Sequence, residues 1–294
     1  MIVLALVTQN EADLLRWNIQ HHLHWGFDHV AVADNFSTDD TADVVREFGT
    51  AASYQRFPDF HDRQLVRMAM INDVREQAHV DWAAVADTDE MFWAPGAGPR
   101  DLLASAPPDI VAVNFDMKLF VPTALDPPDV PVFVSRIYRS SSSASPLHTS
   151  YRAGKSFYRG DWLTEITDEH WCTEVPHPVF RHVEPAVHHY MIQDEDQFVQ
   201  KVKRLMSWAR PQKRSARLRW YAHHLRHRDD LPKWIGASKR EWWRVYAHDG
   251  EEGLRAYYRD VYTLSEGRVR DALDDGTLAE DPAFARWASE SYAR

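Results

Sequence analysis

Short, uninterrupted apolar runs, each followed by a stretch of helical periodicity, constrain this chain more than any other feature. Ile2–Val7 is apolar throughout, as a strand covered by helices on both faces has to be. Glu11–Trp25 then sets Leu15, Ile19 and Leu23 on one helical face, and Gly26 ends it. His29–Ala33 reads as a second strand that stops at Asp34. Asn35–Asp39 is turn chemistry, in which Ser37 or Thr38 can cap a helix carrying Val44, Val45 and Phe48. A third strand at Ala52–Arg56, a polar loop at Pro58–Asp62, a helix at Arg63–Gln77 and a fourth strand at Trp82–Ala86 complete the series. Such alternation predicts βαβ units: an α/β, Rossmann-like fold with a mostly parallel central sheet flanked by helices.

Ligands of open parallel sheets bind beyond the carboxyl ends of the strands. Thr8–Glu11, Asp34–Asp39 and Asp87–Glu90, far apart in sequence, are therefore expected along one sheet edge. Beyond residue 110 the pattern loosens. Ile110–Phe115, Pro131–Tyr138, Gly154–Tyr158, Pro178–Arg181 and Ala186–Tyr190 read as short strands, and Ser140–Ser145 as a loop. From Asp194 onward the reading is mainly helical, with breaks near Pro211 and at Asp229–Pro232. The expected division is an α/β domain over 1–193, in two halves at 1–94 and 95–193. A C-terminal helical extension follows over 194–294.

Composition narrows the classes of function. A net charge of −10 disfavours general nucleic-acid binding, and no nucleic acid is expected as a partner. The single cysteine, Cys172, rules out an intrachain disulfide and suits a reducing compartment. The opening apolar run is about seven residues long and lacks a basic flank, too short for a secretory signal or a membrane span. A soluble, cytoplasmic chain is the expectation.

Asp87-Thr88-Asp89-Glu90 follows directly on the fourth strand. In extended chain Asp87 and Asp89 project to the same side, which suits joint handling of one cation. Clustered carboxylates are the hard oxygen ligands that Mn²⁺ or Mg²⁺ prefers, and a diphosphate cannot sit beside them without a bridging cation. Such a metal also stabilises charge on a departing diphosphate. An isolated Asp-x-Asp is more often a turn or helix cap; its position at a strand end favours the metal reading.

Gln9-Asn10-Glu11, Trp17 and His21 on the following helix, Asp34-Asn35-Phe36-Ser37-Thr38-Asp39 and the Asp87–Glu90 tetrad together resemble the opening of a family 2 glycosyltransferase. The resemblance is specific over residues 2–94, weaker over 150–205, and absent over 206–294. It implies a GT-A fold and transfer of a sugar from a nucleotide-diphosphate donor to an acceptor hydroxyl, metal-dependent and inverting. Carried over by position, Thr8, Asn10 and Glu11 border the base, and Asp34 contacts base or ribose. Asp87 and Asp89 lie on the ribose–diphosphate–metal side, with Glu90 supporting them or touching the donor sugar. Lys155, Arg159 and His189-Tyr190 resemble the second half of the same branch. Lys155 and Arg159 then neutralise the diphosphate, as Arg63 and Arg67 also can, and His189 completes the metal shell or binds diphosphate. Strand alternation aims His188 and His189 at opposite faces, so one of them faces the site.

An inverting transfer needs a base for the acceptor proton, and Glu165, Asp168 or Glu169 is expected to supply it. The expected acceptor is a glycan, a lipid-linked molecule or a small molecule. Gln197–Arg228 contains ten Lys and Arg residues and no acidic one, with Trp208, Trp220 and Tyr221 interleaved. That segment suits peripheral contact with anionic membranes, or a basic helix pair against the acidic remainder. The competing functions are a nucleotidyltransferase and a noncatalytic nucleotide- or sugar-binding module. The former normally carries a glycine-rich loop after the first strand, and Thr8-Gln9-Asn10-Glu11 has no glycine.

Overall fold

The computed structural model describes residues 1–57, 63–141, 154–160, 179–208 and 237–292. In chain order its elements begin β1 (Ile2–Thr8), α1 (Ala12–Trp25), β2 (His29–Asp34), α2 (Thr41–Glu47), β3 (Ala52–Arg56), α3 (Arg63–Gln77), β4 (Trp82–Asp87) and β5 (Glu90–Trp93). They continue with α4 (Pro99–Ala104), β6 (Ala112–Leu119), α5 (Val132–Ser135), β7 (Tyr138–Ser140), β8 (Lys155–Arg159), β9 (Val179–His189) and α6 (Glu195–Trp208). The last are α7 (Ala237–Tyr257), a π-turn at Tyr258–Tyr262, α8 (Glu266–Asp274), β10 (Leu278–Glu280) and α9 (Ala283–Tyr292). This is the α/β architecture expected, with helices in the C-terminal part.

The chain forms two compact units, Met1–Lys118 with Arg152–His189, and Leu119–Tyr151 with Tyr190–Arg294. The chain thus passes between the units three times, at 118/119, 151/152 and 189/190.

In the first unit the sheet order is β3-β2-β1-β4-β8-β6-β9-β5. The first four strands are parallel, in register from Thr8 opposite Asp34 to Val7 opposite Asp87 and Asp34 opposite Arg56. β8 runs antiparallel to β4 and β6, and β5 antiparallel to β9. All of β1 is buried, as its unbroken apolar run requires. Val3, Ala5 and Val7 face Val66, Met70, Ile71 and Val74 of α3 in one core cluster. On the other face Phe27, Phe92, Phe115 and Phe157 form an aromatic layer with ring centroids 4.9–6.3 Å apart, and His22 of α1 meets it edge-on. α1 stops at Gly26, whose φ of 121° is open to glycine and strained for other residues.

Three local expectations are corrected. Pro131–Tyr138 is not a strand: Pro131 opens a one-turn helix closed by Arg136 N–H donating to Val132 O at 2.8 Å, and only Tyr138 onward is extended. The two short strands expected at Pro178–Arg181 and Ala186–Tyr190 are replaced by one long strand, β9 (Val179–His189), running through Pro185. The cap of α2 is not Ser37 or Thr38. The helix begins at Thr41, whose N–H donates to the Asp39 carboxylate at 3.2 Å, while the Ser37 hydroxyl turns to Asn10.

In the second unit Phe198, Val199 and Val202 of α6 bury against Trp242, Leu254, Met191 and Ile192. Arg136, fully buried, bonds Asp126 at 2.6 Å and the carbonyl of Ile192 at 2.6 Å. No helix among the described residues is long and apolar enough to cross a membrane.

Candidate functional site

The carboxyl ends of β1, β2, β3 and β4 bring Thr8, Asp34, Arg56 and Asp87 into one row, because each parallel pairing is in register to its last residue. The turn after β1 reaches across to the turn after β2. Asn10, at a left-handed φ of 54°, accepts from Thr38 N–H at 2.7 Å and donates its own N–H to Ser37 Oγ at 2.8 Å. Asp34 is buried, yet both of its oxygens are satisfied. Oδ1 accepts from Ser37 N–H at 2.9 Å and Oδ2 from the Tyr54 hydroxyl at 2.6 Å. Burial, together with the bond to Asp34, pushes the Tyr54 phenol up to about 12. Arg56 stands 3.9 Å from Asp34 and lies over the ring of Phe36, an exposed aromatic at φ 55°. The Thr8 hydroxyl is buried at the same edge and finds no hydrogen-bond partner among the described residues.

Around the acidic tetrad the compensation is ionic. The Glu90 carboxylate accepts from Asp87 N–H at 2.8 Å and meets the Lys155 ammonium at 3.1 Å. Lys155 is fully buried on β8 and also lies 4.0 Å from Asp87. Gly154, just before it, sits so close to the Phe115 carbonyl that a Cβ would approach to 1.7 Å, so β8 enters here only with glycine. Since β5 pairs with β9 with Glu90 opposite His189, the His189 ring reaches Asp89, Nε2 to Oδ2 3.6 Å. His188 points the other way, edge-on to Trp93. Of the two adjacent histidines it is thus His189 that meets the tetrad.

One sequence candidate does not join this group: Arg159 lies at the opposite end of β8, paired with Trp82 at the start of β4. Four residues of strand, roughly 13 Å, separate Arg159 from Lys155. Its guanidinium bonds the carbonyls of Ile110 and Pro107 and covers Trp82. Antiparallel pairing explains this placement, since β8 runs away from the site. The side chains of Arg63 and Arg67, and the base candidates Glu165, Asp168 and Glu169, lie outside the described residues, as does most of the basic segment 197–228.

Sequence reasoning gives no role to Asn18 or His22 of α1. Asn18 Nδ2 donates to the carbonyls of Thr88 and Glu90, each at 2.9 Å. His22 Nδ1 donates to Asn18 Oδ1 at 2.8 Å, which leaves Nε2 to accept from Phe92 N–H at 3.1 Å. His21 Nε2 donates to Phe92 O at 2.7 Å. Burial holds both imidazoles neutral, lowering His21 to about 4 and His22 well below its ordinary value. The signal was a set of polar residues within the face that also carries Leu15 and Ile19.

Among the described residues no three His, Cys, Asp or Glu side chains form a ready-made metal cluster. Asp89 and His189 still fit one cation. Two donors each bound at about 2.1 Å can stand up to roughly 4.2 Å apart, and Mg²⁺-type ions fill their remaining positions with water and substrate phosphate.

No protein-family model matches the chain, and no curated protein sequence does. Solved structures share similarity with it. A mannosyltransferase from Pyrobaculum calidifontis, in complex with GDP-mannose and Mn²⁺, aligns over 99% of this chain and 79% of its own, at 13% identity and a TM-score of 0.41. TarS of S. aureus with UDP-GlcNAc aligns over 94% and 92%, at 12% identity and 0.42. Glucosyl-3-phosphoglycerate synthase of Mycobacterium tuberculosis aligns over 56% and 59%, at 15% identity and 0.33. Likenesses at these TM-scores carry no conclusion about this chain.

Proposed function

We propose that the chain is a glycosyltransferase of GT-A type that binds a nucleotide-diphosphate sugar at the carboxyl edge of β1, β2 and β4 with a divalent cation, Mn²⁺ or Mg²⁺. The observation that carries the reading is the 3.6 Å approach of His189 to Asp89 beside Asp87, in the same strand-end row as Thr8 and Asp34. Five chemistry-bearing residues from four strands and one strand-end turn meet where a parallel sheet binds ligands. In this reading the Asp34 loop and the unpartnered Thr8 hydroxyl receive the nucleoside, and Asp89 with His189 holds the cation. Glu90, already ion-paired with Lys155 and hydrogen-bonded by the Asp87 amide, keeps the turn in shape instead of reaching the sugar. The cation, when bound, neutralises the diphosphate and lowers the cost of its departure as leaving group.

Inversion, with Glu165, Asp168 or Glu169 as base, and an acceptor hydroxyl on a glycan, a lipid-linked sugar or a small molecule belong to the same proposal. So do a cytoplasmic location and contact of segment 197–228 with anionic membrane.

Calorimetry with GDP and UDP tests the core of it. Binding is expected only with Mn²⁺ or Mg²⁺ present, and Asp89→Asn is expected to abolish it with little change in melting temperature. Equal binding in the presence of a chelator sinks the cation model. A panel of nucleotide sugars, read by metal-dependent release of diphosphate, then identifies the donor without knowledge of the acceptor.

A further inference from the structure

β5 ends the sheet order, so among the described residues one of its edges lacks a strand neighbour. The backbone groups on such an edge must find other partners when buried. Here they find side chains of α1. Phe92 O and N–H are taken by His21 and His22, and Asn18 bridges the carbonyls of Thr88 and Glu90, one on each side of Asp89. All three side chains are buried, and His22 is itself locked by Asn18, which fixes its tautomer. The set thus does for β5 what a ninth strand would do.

The consequence reaches Asp89. Its neighbours' carbonyls are held from the α1 side, while β9 holds β5 from the other with Glu90 opposite His189. A shift of β5 by one residue would turn alternate side chains to the other face. Asp89 and His189 would then no longer meet.

We propose that Asn18, His21 and His22 are positioning residues that set the Asp87–Glu90 turn and hold Asp89 within reach of His189. This rests on the reading of that turn as the cation and nucleotide site. None of the three touches the ligand; they act through main-chain groups of the turn. Supporting partners one step removed from a metal typically matter by 10–100-fold in affinity.

The test compares Asn18→Ala, His22→Leu and His22→Gln with Ile71→Val, a change in the core cluster on the far side of the sheet. Glutamine can accept from Phe92 N–H where leucine cannot. Two quantities are read in full-length protein: Mn²⁺-dependent binding of GDP and UDP by calorimetry, and amide exchange over residues 88–93. Asn18→Ala and His22→Leu are expected to lose about 10–100-fold in metal-dependent affinity and to exchange faster over 88–93. His22→Gln is expected to recover most of both, and Ile71→Val to keep both despite a lower melting temperature. Should Asn18→Ala fail to fold, the His22 pair decides. Unchanged affinity and exchange in His22→Leu, or an equal loss in Ile71→Val, overturns the proposal. If wild-type protein shows no metal-dependent binding, the functional reading fails and the exchange data alone decide whether α1 sets the turn.

Discussion

Two carboxylate groups stand at the same sheet edge, and they are held by opposite means. Asp34 is satisfied by neutral donors, a backbone N–H and a tyrosine hydroxyl, with Arg56 at a distance. The tetrad is held by an ion pair to a fully buried lysine and by a frame of neutral histidines and an asparagine behind its backbone. Hydrogen bonds from neutral groups fix a carboxylate without cancelling its charge. A buried ammonium cancels one charge and leaves the others of the cluster for a cation. In the proposed function the difference separates the loop assigned to the nucleoside from the turn assigned to the metal.

Removing the lysine should break the comparison most severely. In Lys155→Met the Glu90 carboxylate stays buried without its counter-charge, and losing one partner of a buried pair costs about 3–5 kcal/mol. Thermal or urea unfolding would measure it. Glu90→Gln in the same chain should restore much of the loss, because the uncompensated charge goes with it. Additive effects of the two substitutions would show that the pair is not coupled.

Acid should act on the frame next. His21 is held near 4 by burial against an ordinary value of about 6.5, so its neutral form favours the folded state. That contribution is complete above pH 6.5. It is lost as pH falls from 6.5 to about 4, where the unfolded chain binds a proton that the native one refuses. The shift corresponds to roughly 3 kcal/mol, from 1.36 kcal/mol per pH unit; His22 acts in the same direction. Urea midpoints between pH 7 and pH 4 should fall in wild type and fall less in His21→Gln. Identical slopes would mean that other groups set the acid limb.

The asymmetry also explains what the sequence disclosed. β1 to β4 were legible to within a residue or two because each is a local apolar run ended by its own turn residues, and parallel register then aligned Thr8, Asp34 and Asp87. The tetrad side depends on partners more than 60 residues away in sequence: Lys155 for Glu90, His189 for Asp89, Asn18 for Thr88. Long-range antiparallel pairing brings in Lys155 and His189, and packing of α1 against β5 brings in Asn18; periodicity within a window records neither. Lys155 and Arg159 show the limit most clearly. Four residues apart and alike in charge, they were read as one device, yet antiparallel pairing sends one to the tetrad and the other to the far end of the sheet. Asn18 and His22 carry no legible role because a polar residue on an apolar helix face has no visible partner until β5 is in place.

The smallest expected effect sharpens the other half of the comparison. Tyr54→Phe removes one neutral hydrogen bond from Asp34 and leaves the Ser37 N–H bond in place. A single bond of this kind contributes about 0.5–1.5 kcal/mol, and hydrogen bonds to charged groups somewhat more. Unfolding should therefore shift by about 1–2 kcal/mol, well short of the change at Lys155. Because Arg56 and the Asn10–Thr38 bond remain, the loop should keep its shape, and GDP or UDP affinity should change less than threefold by calorimetry. If Tyr54→Phe instead destabilises the protein as strongly as Lys155→Met, then Asp34 depends on that phenol as Glu90 depends on its lysine. The distinction between a hydrogen-bonded and a charge-paired carboxylate would then no longer describe this sheet edge.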